Sequence, residues 1–128
     1  MRLLLDTHTL IWWWLEDPSL SEIARAATSA PGADILVSAV SGFEIAQKVR
    51  HGKLPVMTEP LARYSDYVVD EGFAHLAISV KHAVRAGLLP GEHRDPFDRL
   101  LAAQALIENL TVVTRDPAFA AFGCRTLW

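Results

Sequence analysis

Four acidic residues stand where an apolar run gives way to a helix-like stretch. Asp6 follows Leu3-Leu4-Leu5, and Glu44 comes soon after Ile35-Leu36-Val37-Ser38. Asp98 opens the run Arg99-Leu100-Leu101-Ala102-Ala103-Gln104-Ala105, and Asp116 follows Leu110-Thr111-Val112-Val113-Thr114. In an open α/β sheet, residues just past the strand ends gather along one edge, where ligands bind. Carboxylates gathered there repel one another and call for a hard divalent cation. Oxygen-only ligands select Mg²⁺ or Mn²⁺ over zinc. Such a site suits phosphodiester hydrolysis, in which the ion orients water and stabilises charge on the phosphate.

Each acid also has an ordinary structural use. Asp95 and Asp116 precede prolines and make good helix N-caps. Asp98 falls at a third helical position, where a carboxylate gains roughly 0.3–1 kcal/mol from the helix dipole. Glu44 completes the capping-box spacing Ser41-Gly42-Phe43-Glu44. Asp6 resists this treatment. A carboxylate directly after a buried run is costly unless hydrogen-bonded, protonated or metal-bound. The joint occurrence of the acids at successive strand exits is what favours a site.

The elements that must position these residues read as alternating strands and helices. Arg2–Leu5 is a short buried strand, followed by an apolar helix over Thr7–Leu15 that Asp17-Pro18 stops. Ser19 or Ser21 caps a helix reaching about Ala30, and Pro31-Gly32 ends it. Ile35–Val37 is a second strand, and a helix from Ser41 to about Arg50 stops at Gly52. Leu54–Thr58 is a proline-broken connection, and Glu59-Pro60 starts a helix through about Glu71. Phe73–Ile78 is a third strand, and Ser79 caps a helix through about Leu88. Asp95-Pro96 starts the next helix, which lasts to about Asn109. Leu110–Val113 is a fourth strand, Asp116-Pro117 caps a short helix, and Cys124–Leu127 makes a last edge strand. This alternation predicts an α/β fold with a mainly parallel sheet of four or five strands, covered on both faces.

The bulk properties set limits. The 128 residues suit one domain spanning 1–128. One cysteine, Cys124, excludes an internal disulfide and suits a reducing compartment. The apolar runs are too short for a membrane span, and Asp6 and His8 interrupt a would-be signal sequence, so the chain reads as soluble and cytoplasmic. A net charge of −3 is unlike the basic footprint of nucleic-acid binders, but setting four ligand acids aside leaves the remainder at +1. The five histidines show no His-x-x-x-His spacing, and no P-loop, dinucleotide fingerprint or nucleophile-elbow serine occurs.

Leu3-Leu4-Leu5-Asp6-Thr7-His8, the Ser38–Lys48 segment with Glu44, Asp95–Ala105, and Val113-Thr114-Arg115-Asp116 resemble the four signature blocks of PIN-domain nucleases. The likeness is closest to VapC-type toxins of toxin–antitoxin pairs and spans essentially the whole chain. It implies a three-layer α/β/α fold and Mg²⁺- or Mn²⁺-dependent hydrolysis of RNA by metal-activated water. By position, Asp6 matches the first metal-binding aspartate, Glu44 the helix glutamate, Asp98 the third acid and Asp116 the more variable fourth. Asp95 is a rival for the third role, but its cap position explains it, and Asp98 is favoured. Thr7 and Thr114 match hydroxyl residues that hold a carboxylate or water. The resemblance further implies a homodimer and a small antitoxin partner that inserts a segment near the active site.

Several features leave two readings open. Lys48, Arg50, His51 and Lys53 gather where the Glu44 helix ends, complementing its dipole or contacting an RNA backbone. Arg99 and Arg115 neighbour the acids and would touch phosphate or pair with carboxylates. The three tryptophans Trp12-Trp13-Trp14 lie about 100° apart on a helix, so they cannot share one face. They are either core or a protein-binding surface. Two other functions compete with the nuclease. A metal-dependent phosphatase or phosphoryl-accepting domain also puts an aspartate after its first strand, but Asp6-Thr7-His8 lacks a second aspartate. An RNA- or protein-binding module would keep the fold without the chemistry, and retention of four acids argues against it.

Overall fold

The computed structural model describes residues 1–128. Five strands, β1 (Arg2–Leu5), β2 (Asp34–Ser38), β3 (Ala74–Leu76), β4 (Thr111–Val113) and β5 (Thr126–Leu127), form one sheet in the order β3-β2-β1-β4-β5. Every neighbouring pair is parallel. Between them run α1 (Thr7–Trp14), α2 (Glu22–Ser29), α3 (Ala39–Arg50), α4 (Tyr64–Asp70), α5 (Val80–Leu88), α6 (Pro96–Glu108) and α7 (Ala118–Ala121). No helix is long and apolar enough to cross a membrane.

Strand side chains alternate between the faces, and each face is covered. Leu3, Leu5, Ile35, Val37 and Val113 join Leu10 and Ile11 of α1, Ala24 of α2 and Val68 of α4 in one core layer. Leu4, Leu36 and Val112 join Ala86 of α5, Leu101, Ala102 and Ala105 of α6, and Phe119 of α7 in the other. These continuous apolar runs are what a doubly covered parallel strand requires. The result is the expected α/β/α sandwich.

The strand order carries the functional consequence. From β1 the chain steps to β2 and β3 on one side, then crosses to β4 and β5 on the other. The reversal therefore lies between β1 and β4, and a crevice opens at such a switch point beyond the carboxyl ends of the strands. Asp6 leaves β1 there, and Thr114, Arg115 and Asp116 leave β4 there.

Three local expectations need correction. The helix α3 begins at Ala39, not Ser41, because Ser38 is its cap and accepts the Val40 N–H at 3.0 Å. Glu44 consequently lies well inside the helix and completes no capping box. The segment after Glu59 is not one helix: a 3₁₀ turn at Pro60–Arg63 precedes α4. Strand β3 is confined to Ala74–Leu76.

The three tryptophans are each half-buried and point to three different neighbours. Trp12 meets Trp128, Trp13 meets Phe73, and Trp14 meets Tyr64 edge-on at 5.5 Å. Their 100° spacing is thus used to pin α1 in three directions at once.

Candidate active site

Asp6 ends β1 and is the N-cap of α1. Its Oδ1 accepts the Thr9 N–H at 2.7 Å, and its Oδ2 accepts the Thr114 hydroxyl at 2.5 Å. It is only 8% exposed, so these bonds offset the cost of burying a carboxylate at the sheet edge. Thr114 Oγ1 also accepts the Asp116 N–H at 3.0 Å. One hydroxyl therefore sets both the first acid and the loop that carries the fourth.

Glu44 reaches the same place from α3. Its Oε1 accepts the Thr7 hydroxyl at 2.6 Å. Thr7 has one proton and gives it to Glu44, so Ser41 Oγ, 3.0 Å away, donates to Thr7. The interior position of Glu44 explains why Ser41 is free for this bond: it is not capping its helix.

Asp98 projects from the first turn of α6 and lies 2.9 Å from His93 Nε2. Asp95 is the α6 cap, with Oδ1 accepting the Phe97 and Asp98 N–H groups at 2.9 and 3.4 Å. It nevertheless borders the same cavity as Asp98, so capping and proximity to the site are compatible. Asp116 Oδ1 accepts the Ala118 N–H at 2.9 Å and so steadies the start of α7.

These side chains line one cavity of ≈ 590 Å³, bounded by Asp6, Thr7, His8, Trp12, Glu44, Asp95, Asp98, Arg115, Asp116 and Pro117. Only Trp12 and Pro117 are apolar. Electrostatics report the crowding. Burial raises the Glu44 carboxyl above its ordinary value; the Thr7 bond opposes the rise, and Asp95 and Asp98 add to it. Burial likewise raises Asp98, opposed by the His93 bond and reinforced by Asp95 and Asp116. The acids are thus close enough to penalise one another's charge.

As they stand, no three carboxylates or imidazoles are grouped tightly enough to hold one ion in common. The donor set nonetheless fits a hard cation. Glu44, Asp98 and Asp116 each engage one oxygen internally and leave the other without a hydrogen-bond partner. Their mutual repulsion is the kind a divalent ion relieves, and the donors are all oxygen.

The basic residues divide. Lys48 lies one turn from Glu44 and lowers its carboxyl slightly, as the last of several influences. Arg50 and Lys53 are exposed near the end of the same helix, outside the cavity wall. Arg99 is committed elsewhere: it donates to the carbonyls of Ala86 (3.0 Å), His93 (3.0 Å) and Leu89, and stacks on Phe122 at 5.5 Å. The structure thus uses Arg99 to fasten the loop before α6. Two residues of the site, His8 in the cavity wall and His93 behind Asp98, lay outside the sequence reading, which weighed histidines only as zinc ligands. The position of His8 directly after Asp6-Thr7 was the available signal. His93 had none, because loop geometry alone brings it to Asp98.

The PIN domain family model matches residues 3–123 of this chain. The chain belongs to the PIN-domain family. Within that family it is 30% identical over 114 residues to Ribonuclease VapC22 of Mycobacterium tuberculosis, covering 88% of this chain and 85% of that protein. Its fold is similar to the crystal structure of VapBC2 from Rickettsia felis bound to a DNA fragment from their promoter. That match has a TM-score of 0.74 at 21% identity and covers 98% of this chain and 97% of that one. VapBC-1 from nontypeable Haemophilus influenzae is similar too, with a TM-score of 0.69 at 16% identity, covering 98% and 96%. The PIN architecture expected from the sequence is therefore the one found.

Proposed function

We propose that this PIN-domain protein is a divalent-metal-dependent endoribonuclease that acts as the toxin of a toxin–antitoxin pair, with residues 1–128 working as one unit. The observation that carries the reading is the convergence of Asp6, Glu44, Asp98 and Asp116 on one cavity at the β1–β4 switch point. The kinship with a VapC ribonuclease supports the activity, and the fold shared with VapBC complexes supports the pairing.

Asp6, Glu44, Asp98 and Asp116 would hold Mg²⁺ or Mn²⁺, which supplies Lewis acidity to the scissile phosphate and acidifies water. The protein's own part is positional. Thr114 and the Thr9 amide fix Asp6, Thr7 fixes Glu44, and His93 fixes Asp98. A phosphoryl-accepting role for Asp6 is disfavoured, because Asp6-Thr7-His8 carries no second aspartate. Lys48, Arg50, Lys53 and Arg115 are the cations available to the RNA backbone.

Two surfaces support the proposed partners. Val80, Val84 and Leu88 form an exposed stripe at four-residue spacing on α5, suited to a second copy of the chain. Trp14, Leu15, Val56, Met57, Pro60 and Tyr67 line an apolar crevice suited to an antitoxin segment. The cytoplasm, where RNA is cut, is the proposed location.

The test is cleavage of RNA by the purified protein with Mg²⁺ or Mn²⁺ and with chelator, alongside growth on induced expression. Wild type should cut RNA only with metal and arrest growth, and Asp6→Asn should do neither. Full activity in Asp6→Asn would overturn the reading.

A further inference from the structure

Arg115 is out of place by simple electrostatics. It lines a cavity walled by Asp6, Glu44, Asp95, Asp98 and Asp116, yet it forms no ion pair and no hydrogen bond. Its guanidinium instead lies over the Trp12 ring, 4.5 Å from the centroid. Asp17, which is outside the cavity, feels Arg115 only as the weakest influence on its carboxyl, behind hydrogen bonds from Ser19. Arg115 is exposed, so all five of its N–H donors remain free.

Trp12 is itself held. It is half-buried, tilted against Trp128 at 5.8 Å and against His8 at 5.7 Å. A fixed indole beneath a guanidinium provides a cation–π attraction that competes with the nearby carboxylates for the charge.

We propose that Trp12 is a positioning residue that holds Arg115 off the acidic cluster, so that its guanidinium stays free to bind a phosphate of the RNA strand beside the scissile bond. The proposal rests on the ribonuclease reading above. It separates two tasks within one cavity: the carboxylates are left for the metal, and the guanidinium is left for phosphate, whose oxygens its planar fork matches. It also gives the first tryptophan of the triplet a purpose that core packing does not.

The test measures RNA affinity against salt. Binding of an unstructured RNA oligonucleotide is followed in an Asp98→Asn background with chelator, so that nothing is cut. Each phosphate contact contributes about 0.7 to the slope of log affinity on log salt for single strands. Arg115→Gln and Trp12→Leu should each lower the slope by about 0.7, and the double variant should lower it no further. Trp12→Phe, which keeps an aromatic face, should restore the slope. In the otherwise wild-type enzyme, Arg115→Gln and Trp12→Leu should raise KM about tenfold with little change in kcat. A purely structural Trp12 would leave the salt slope untouched, and that result overturns the proposal. So does an unchanged slope in Arg115→Gln, whose side chain is exposed and lies outside the packed core. If wild type cuts RNA while these slopes stay fixed, this inference fails and the ribonuclease reading stands. If wild type neither binds nor cuts RNA, both fail.

Discussion

Thr114 and Asp6, 108 residues apart in the chain, are joined by a 2.5 Å hydrogen bond across the β1–β4 switch point. The same hydroxyl accepts the Asp116 N–H. Replacing Thr114 by Val keeps the shape but leaves the Asp6 carboxylate and the Asp116 amide each short of a partner. Stability should fall by about 1–3 kcal/mol in urea unfolding, and activity should fall with it. Thr114→Ser should retain most of both, and equal losses in Ser and Val would mean that the methyl group, not the bond, matters.

His93 and Thr7 act on Asp98 and Glu44 as orienting partners. Groups that orient metal-binding side chains typically contribute 10–100-fold in metal affinity or activity. His93→Ala and Thr7→Val should each raise the Mn²⁺ concentration for half-maximal RNA cleavage by about that factor. Activity at saturating Mn²⁺ should largely recover, and a kcat loss that excess metal leaves in place would contradict the orienting role.

The raised carboxyls of Glu44 and Asp98 make metal-free stability pH-dependent. Both bind protons more readily folded than unfolded, so stability rises as pH falls through their raised values toward the ordinary ones. It is lost as pH climbs through the window that opens at the ordinary values of 4.5 and 3.8. Glu44→Gln and Asp98→Asn should therefore melt higher than wild type at pH 7 without metal, by an amount that shrinks as pH is lowered. Manganese at a hundredfold excess over Kd should reverse the order, stabilising wild type by about 2.7 kcal/mol and the variants less. Calorimetry at several pH values, with and without Mn²⁺, reads both signs.

Arg99 follows Asp98 in the chain and Arg115 precedes Asp116, but the two should behave oppositely. Arg99→Ala removes three carbonyl contacts and a stack on Phe122, and should cost about 2–3 kcal/mol of stability. The salt slope of RNA binding should stay at the wild-type value, unlike that of Arg115→Gln. A lowered slope in folded Arg99→Ala would return Arg99 to the phosphate-binding group.

The sheet was readable because its strands are short apolar runs closed by Asp6, Ser38 and Thr114, and a doubly covered parallel strand demands that pattern. The placement of the acids followed from the same punctuation. The start of α3 was not readable. Ser41-Gly42-Phe43-Glu44 imitates a capping box, yet Ser38 supplies the cap and Ser41 serves Thr7 instead. Local spacing cannot tell a serine that caps a helix from one buried three residues inside it.

The dual role of Asp95 was hidden for a related reason. Its cap geometry is local and visible before Pro96, whereas its approach to Glu44 depends on how α6 meets α3. His93 and the Arg115–Trp12 stack are tertiary in the same sense: a loop brings the first to Asp98, and the exits of β1 and β4 bring the second pair together. The tryptophan triplet was legible as three directions but not as three partners.

The central claim is that Asp6, Glu44, Asp98 and Asp116 form one divalent-metal site that serves RNA cleavage. Titration of Mn²⁺ followed by electron paramagnetic resonance tests it most directly on wild type, Asp6→Asn and Asp98→Asn. Saturable binding to wild type, weakened at least tenfold in both variants in step with lost RNA cleavage, is the predicted result. Unchanged Mn²⁺ binding in either variant, or RNA cleavage by wild type that persists in chelator, would contradict it.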